Sequence, residues 1–224
     1  MPARPALDPL AAAAAARLPR GRHPLTQQAV AASQRVRLLD AVALVVARRG
    51  YGAATVADVI ALAGVSRRTF YEQFTDLEAC FLAAYEDGMR SLFDAIRRAL
   101  AELPVAPLEP RIRRAVEAYL AALASRPEAA WAFTIEVMGA GRSALDRRAW
   151  VMAQWVARWR ALLTLHERGV PGAAPVSDQR LLALVGGSEE LVRETLRSRG
   201  ASALPGLADE LSAAARVLLG IADG

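Results

Sequence analysis

Within five consecutive residues the chain places Arg67, Arg68, Thr69 and Tyr71. A guanidinium group grips two acceptors at once, on a phosphate or on the O6/N7 edge of guanine, and hydroxyl groups bond phosphate oxygens. The chemistry on offer is recognition of nucleic acid, provided that the four side chains share one surface. Phe70 and Phe74 fall at i and i+4, which predicts a short helix with these two on its buried side and the arginines, Thr69 and Tyr71 on the other. Ser66 precedes the run and supplies an N-cap hydroxyl, so the arginines crowd the N-terminal end of that helix.

A second helix comes just before it. Thr55 and Asp58 stand three residues apart, a pairing that caps a helix N-terminus reciprocally. Val56, Val59, Ile60 and Ala63 follow at i, i+3, i+4 and i+7 as one apolar stripe. Gly64 closes the stripe with a residue that accepts the positive φ of a left-handed C-terminal position. Thr55 to Phe74 therefore reads as a helix-turn-helix, whose second helix enters the major groove by its N-terminal end. On this reading Arg67 and Arg68 contact bases, Ser66 stands at the helix entry, and Thr55, Thr69 and Tyr71 contact phosphates that set the register. The competing reading is an ordinary pair of amphipathic helices joined by glycine, with the arginines as a solvated face.

From Gln27 to Phe81 the sequence resembles the TetR family of bacterial transcriptional regulators. The resemblance is carried by a long first helix ending in Arg49-Gly50-Tyr51, by TVADVIALAGVSRRTFYEQF over residues 55–74, and by Thr75-Asp76-Leu77-Glu78-Ala79-Cys80-Phe81, which opens a fourth helix. One departure stands out: the family often has a phosphate-binding lysine where this chain has Leu77, so that contact is not carried over. The amides at the same helix N-terminus can still meet a phosphate.

The charge distribution points the same way. Residues 1–75 hold ten arginines against Asp8, Asp40, Asp58 and Glu72, whereas the remainder holds eighteen arginines against nineteen acids. A basic end on a near-neutral body suits a phosphate-backbone partner whose binding is salt-sensitive. Every basic residue is arginine. The single cysteine, Cys80, rules out an internal disulfide and a cysteine zinc site; it reads as a small core residue, with a redox sensor as the other possibility. No apolar run reaches the length of a membrane span, and the Ala11–Ala16 run is a poor signal peptide, so the expected location is the cytoplasm, with no membrane partner.

Alanine and leucine dominate and no stretch alternates with period two, which predicts an all-α fold of about nine helices. Residues 1–24 are expected to form a disordered basic tail, in which Arg17, Arg20, Arg22 and His23 are either solvated or track DNA. Residues 25–75 then make a three-helix DNA-binding domain, and 76–224 a helical bundle for ligand binding and dimerisation. The first helix is expected over Thr26–Arg49 on a face made by Val30, Val36, Leu39, Val42, Ala43 and Val46. Tyr51 is expected to pack against it. Thr75 and Glu78 are expected to cap a helix running to Leu100, and later helices fall at about 111–125, 127–139, 143–168, 178–199 and 205–221.

All four tryptophans lie in residues 131–159, and Trp131, Phe133, Met138, Trp155 and Trp159 are candidates to line an apolar cavity, with ordinary core as the alternative. Glu136 on the same stretch is either an anchor for a cationic ligand or a solvated or paired carboxylate. The last two helices carry more apolar surface than packing within one chain requires, as a two-fold four-helix interface would use. His23 and His166 are far apart, and no HExxH, GxSxG, phosphate loop or paired CxxC occurs, so neither enzyme activity, a metal nor a cofactor is expected. Together with the resemblance, these features imply a homodimeric, ligand-responsive repressor released from a palindromic operator by a small molecule. An activator of the same fold, or a helical protein-binding adaptor without DNA binding, is the alternative.

Overall fold

The computed structural model describes residues 27–167 and 176–221, with backbone alone at 165–167. The tail expected over 1–24 and the break expected between Gly169 and Pro175 lie outside them. Among the described residues there is no strand, and nine α-helices follow in order: α1 Gln27–Arg49, α2 Val56–Ala63, α3 Arg67–Gln73, α4 Leu77–Ala101, α5 Leu108–Ala124, α6 Pro127–Thr134, α7 Arg142–Glu167, α8 Asp178–Arg199 and α9 Ala208–Leu219. The all-α expectation therefore holds. None of the described helices is long and apolar enough to cross a membrane.

Four local expectations are corrected. The buried face of α1 runs through Leu38, Val42, Val45 and Val46, while Val36 is 57% exposed. The cap of α4 is Asp76, not Thr75. The Asp76 Oδ1 atom accepts from Ala79 N–H at 2.7 Å, and the Thr75 hydroxyl only donates to Asp76. A carboxylate one residue nearer the helix is the stronger acceptor and takes the position. The helix expected over 127–139 ends at Thr134 and continues as a 3-10 turn, Glu136–Gly139; the last helix starts only at Ala208, after a 3-10 segment Ala201–Leu207 that contains Pro205.

Two apolar clusters fill the molecule. The first joins Leu38, Val42 and Val46 of α1, Val59 of α2, Phe70 and Phe74, and Cys80, Phe81 and Tyr85 of α4 to Phe133 and Val137. The second gathers Leu92, Ile112, Leu120, Leu181, Leu196, Leu204 and Leu211 from α4, α5, α8, α9 and the 3-10 segment. Helix α4, 25 residues and so about 37 Å long at about 1.5 Å per residue, takes part in both. Phe133 of α6 crosses against it, with its ring 5.9 Å from Phe81 and 5.7 Å from Tyr85. Gly88 makes that crossing possible, because a Cβ there would stand 2.7 Å from the Phe133 ring.

Candidate nucleic-acid interface and cavity

The turn between α2 and α3 is built from short-range bonds. Thr55 accepts from Asp58 N–H at 3.2 Å, and Asp58 in turn accepts from the Thr55 amide at 3.2 Å and its hydroxyl at 2.7 Å, a complete capping box. Arg49 ties the same carboxylate to the end of α1 at 3.1 Å. Gly64 adopts φ 63°, ψ 41°, the left-handed geometry that a side chain would strain. Ser66 accepts from Thr69 N–H at 3.0 Å and shares a 2.9 Å hydroxyl contact with Thr69.

The helix that follows is anchored from below. Phe70 is fully buried and its ring meets Phe74 at 5.8 Å; Tyr71 stands edge-on to Phe70 at 5.4 Å yet stays half exposed. The Arg35 guanidinium covers the Phe74 ring at 4.6 Å. With the buried side so fixed, the opposite side presents Ser66, Arg67, Arg68 and Tyr71 to solvent. Among the described residues Arg67 has no hydrogen-bond or ion-pair partner, and Arg68 holds only Glu72, at 2.8 Å and with its own side chain 89% exposed. Thr55 is exposed at the start of α2, while the Thr69 hydroxyl is engaged with Ser66.

Two positioning residues escaped the sequence reading. Arg37 of α1 donates through Nη1 to the carbonyls of Ala63 at 2.9 Å and Gly64 at 3.3 Å, satisfying acceptors that the end of α2 leaves open. Asp76 is the other: its carboxylate occupies the amide at the start of α4 and puts negative charge there, which disfavours the phosphate contact expected at that end. Leu77 beside it packs on the first cluster.

A cavity of about 640 Å³ opens in the second cluster, walled by α4, α5, α7, α8 and α9. Trp155 and Trp159 line it, as do Phe93 and Tyr119. Trp155 meets Phe93 at 4.6 Å and Tyr119 at 5.3 Å, both edge to face. The other three candidate residues lie elsewhere: Phe133 is buried in the first cluster, Met138 is 44% exposed, and Trp131 packs on the first cluster. The Trp131 indole instead donates to Glu136 at 3.1 Å, and Glu136 also accepts from the Tyr51 amide at 3.1 Å. Glu136 is thus a paired carboxylate in the body of the protein. Tyr51 packs on Phe81 at 5.1 Å.

Cys80 is fully buried, and burial pushes its thiol up to about 12, against the pull of Arg35. A protonated thiol in the core is unreactive, which removes the redox-sensor possibility. Burial also raises the Tyr119 hydroxyl, helped by the nearby charge of Glu189. Desolvation lowers Arg158, which the charge of Asp94 partly offsets. Arginine stays charged at neutral pH regardless.

An exposed, arginine-bearing helix on a helix-turn-helix, joined to a hollow helical body, is an arrangement that suits DNA recognition at one end and a small guest at the other. Residues 38–84 match the family model described as bacterial regulatory proteins, tetR family. Over 126 residues, 55% of this chain, the sequence is 30% identical to the HTH-type transcriptional regulator EthR of Mycolicibacterium smegmatis; the match spans 57% of that regulator, little more than half its length. The fold resembles that of the fatty acid degradation regulator FadR from Bacillus halodurans, with a TM-score of 0.73 and 20% identity over 84% of this chain and 95% of that one. It also resembles FadR from Bacillus subtilis, solved in complex with stearoyl-CoA, with a TM-score of 0.69 and 15% identity over 84% and 99% of the two chains. In sequence over residues 38–84 the chain is similar to the tetR family of bacterial regulatory proteins, and over most of its length it shares the fold of the FadR structures.

Proposed function

We propose that the protein is a homodimeric transcriptional repressor, working on DNA in the cytoplasm and released from a palindromic operator by a small molecule. Residues 25–75 act as the DNA-binding domain and 76–224 as the ligand-binding and dimerisation domain. The observation that carries this reading is the free arginine end of α3, held outward by a fully buried Phe70 and a satisfied Ser66 cap. Arg67 and Arg68 contact base edges, each supplying roughly 1–3 kcal/mol of discrimination if bidentate to guanine. Thr55 and Tyr71 contact phosphates, with Ser66 and Thr69 at the helix entry.

Support for the dimer comes from α8 and α9, where Leu182, Leu191 and Val217 are 49%, 41% and 78% exposed on helices that already bury a full apolar side. A two-fold pairing of these helices covers that surplus and sets two copies of α3 about 34–36 Å apart, one helical turn of DNA. Support for the release step comes from α4, which carries Phe81 in the first cluster and lines the cavity with Phe93 and Ile96. A ligand that fits the cavity better when α4 is shifted moves the reading helices out of register; one with equal affinity for both states shifts nothing.

The test is selection of bound fragments from random DNA, repeated with Arg67→Ala/Arg68→Ala. A palindromic consensus that the double variant fails to enrich, while sedimenting as the same dimer, supports the reading. Enrichment of nothing by the native protein overturns it. Operator affinity that is unchanged when a ligand fills the cavity removes the release step alone.

A further inference from the structure

The cavity described above has a chemical asymmetry. Its acids are already committed: Asp94 pairs with Arg97 at 2.9 Å, and Glu189 pairs with Arg148. Of its arginines, Arg97 is held by that pair and Arg111 donates to the carbonyls of Leu103 and Pro104 at 3.1 Å each. Arg158 differs from both. It forms no ion pair among the described residues, feeling Asp94 only as a nearby charge; its Nη1 reaches only the carbonyl and side chain of Gln154, and its guanidinium lies 3.5 Å over the Phe93 ring, which fixes its plane.

The placement of Arg158 matters as much as its freedom. Its residue is exposed, so it stands at the opening, while Val116, Val185 and Leu211 are buried on the inner wall. Tyr119 lines the same space, and its hydroxyl has no hydrogen-bond partner among the described residues. The chamber therefore offers an apolar interior, one uncommitted cation at the rim and an uncommitted hydroxyl donor. A cationic guest finds no free carboxylate in it.

We propose that the effector is an anionic amphiphile: its apolar chain lies among Trp155, Trp159 and the inner aliphatic wall, and its acidic head is received by Arg158. The inference rests on the reading of this cavity as the effector site, and it adds the ligand's charge and polarity. A planar guanidinium braced on Phe93 suits a carboxylate or a phosphate ester equally, since both present paired oxygens.

The experiment uses the full-length protein and follows quenching of Trp155 and Trp159 fluorescence by dodecanoate, dodecyl phosphate, dodecanol and dodecylamine, all below their micelle concentrations. Native protein is expected to bind dodecanoate or dodecyl phosphate about tenfold or more tightly than dodecanol, and dodecylamine most weakly, the size of effect that one charge-assisted hydrogen bond supplies. Which of the two anions binds tighter separates a free carboxylate from a phosphorylated ligand. Arg158→Gln, at an exposed position, is expected to remove the preference and keep dodecanol binding, which itself reports an intact chamber. Ala115→Trp, which fills the chamber, is expected to abolish binding of all four.

Equal binding of acid and alcohol, or a preference that survives Arg158→Gln, overturns the inference while leaving the cavity as an apolar effector site. Binding that persists in Ala115→Trp overturns the cavity reading as well. Failure of the native protein to bind any of the four overturns the inference and leaves the DNA selection to judge the regulator separately.

Discussion

The two apolar clusters are built to opposite specifications. Around α2 and α3 the chain packs small and aromatic residues closely, with Val42, Val59, Phe70 and Phe81 wholly buried and Gly88 trimmed to admit the Phe133 ring. Around α5 and α7 it leaves about 640 Å³ open and lines the opening with tryptophan, tyrosine and arginine. A surface that reads DNA must hold its side chains within fractions of an ångström, and close packing supplies that stiffness. A chamber for a guest gives up that packing, and with it part of the local stability, in exchange for room. Substitutions that add or remove volume should therefore act with opposite severity in the two halves.

The sharpest contrast is expected from Phe70→Ala, which empties the fully buried floor of α3 and should cost about 3–5 kcal/mol, read as a lower urea midpoint. A loss below about 1 kcal/mol would mean that the first cluster is not tightly packed. Next comes a matched pair. Ala84→Leu forces three extra carbons into the closed cluster and should cost about 1–3 kcal/mol. Ala115→Leu adds the same carbons to the chamber wall and should be neutral or stabilising by about 0.5–1 kcal/mol, with ligand binding weakened. Equal costs for the two would erase the distinction.

Thr55→Ala removes the capping box and should cost about 1 kcal/mol, with operator affinity falling further than stability alone explains if Thr55 also touches a phosphate. The mildest effect belongs to Cys80. With its folded thiol up at about 12, the folded and unfolded states are both protonated below pH about 9, so the residue adds no pH dependence near neutrality. Above that the unfolded thiol ionises first, and stability falls as pH rises toward 12. Alkylation of the native protein at neutral pH should be as slow as global unfolding; rapid labelling would show that the core around α4 opens on its own.

What could be read from the sequence was what depends on neighbours three or four residues away. The Thr55 and Ser66 caps, the Gly64 turn and the Phe70–Phe74 pair all close within one or two helical turns, and each is present as expected. Contacts across the chain left no such trace. Arg37 reaches the end of α2 across 26 positions, and Glu136 reaches Tyr51 across 85, with nothing in either residue's surroundings to announce it. Aromatic content proved a coarse guide to the cavity. Trp155 and Trp159, one helical turn apart on α7, both line it, whereas Trp150 points outward at 51% exposure and Trp131 is spent on Glu136. Spacing told which residues share a helix face; only packing told what that face meets.

The Phe133 and Glu136 contacts carry a practical consequence for anyone wishing to transplant the reading helices onto another sensor. A fragment cut just after α4 would strip the Phe133 ring from Phe81 and Tyr85 and leave the Tyr51 amide without its carboxylate, because those partners come from residues 133–137. A working hybrid must carry its seam beyond Ala144, bringing α6 and the turn after it along with the N-terminal helices.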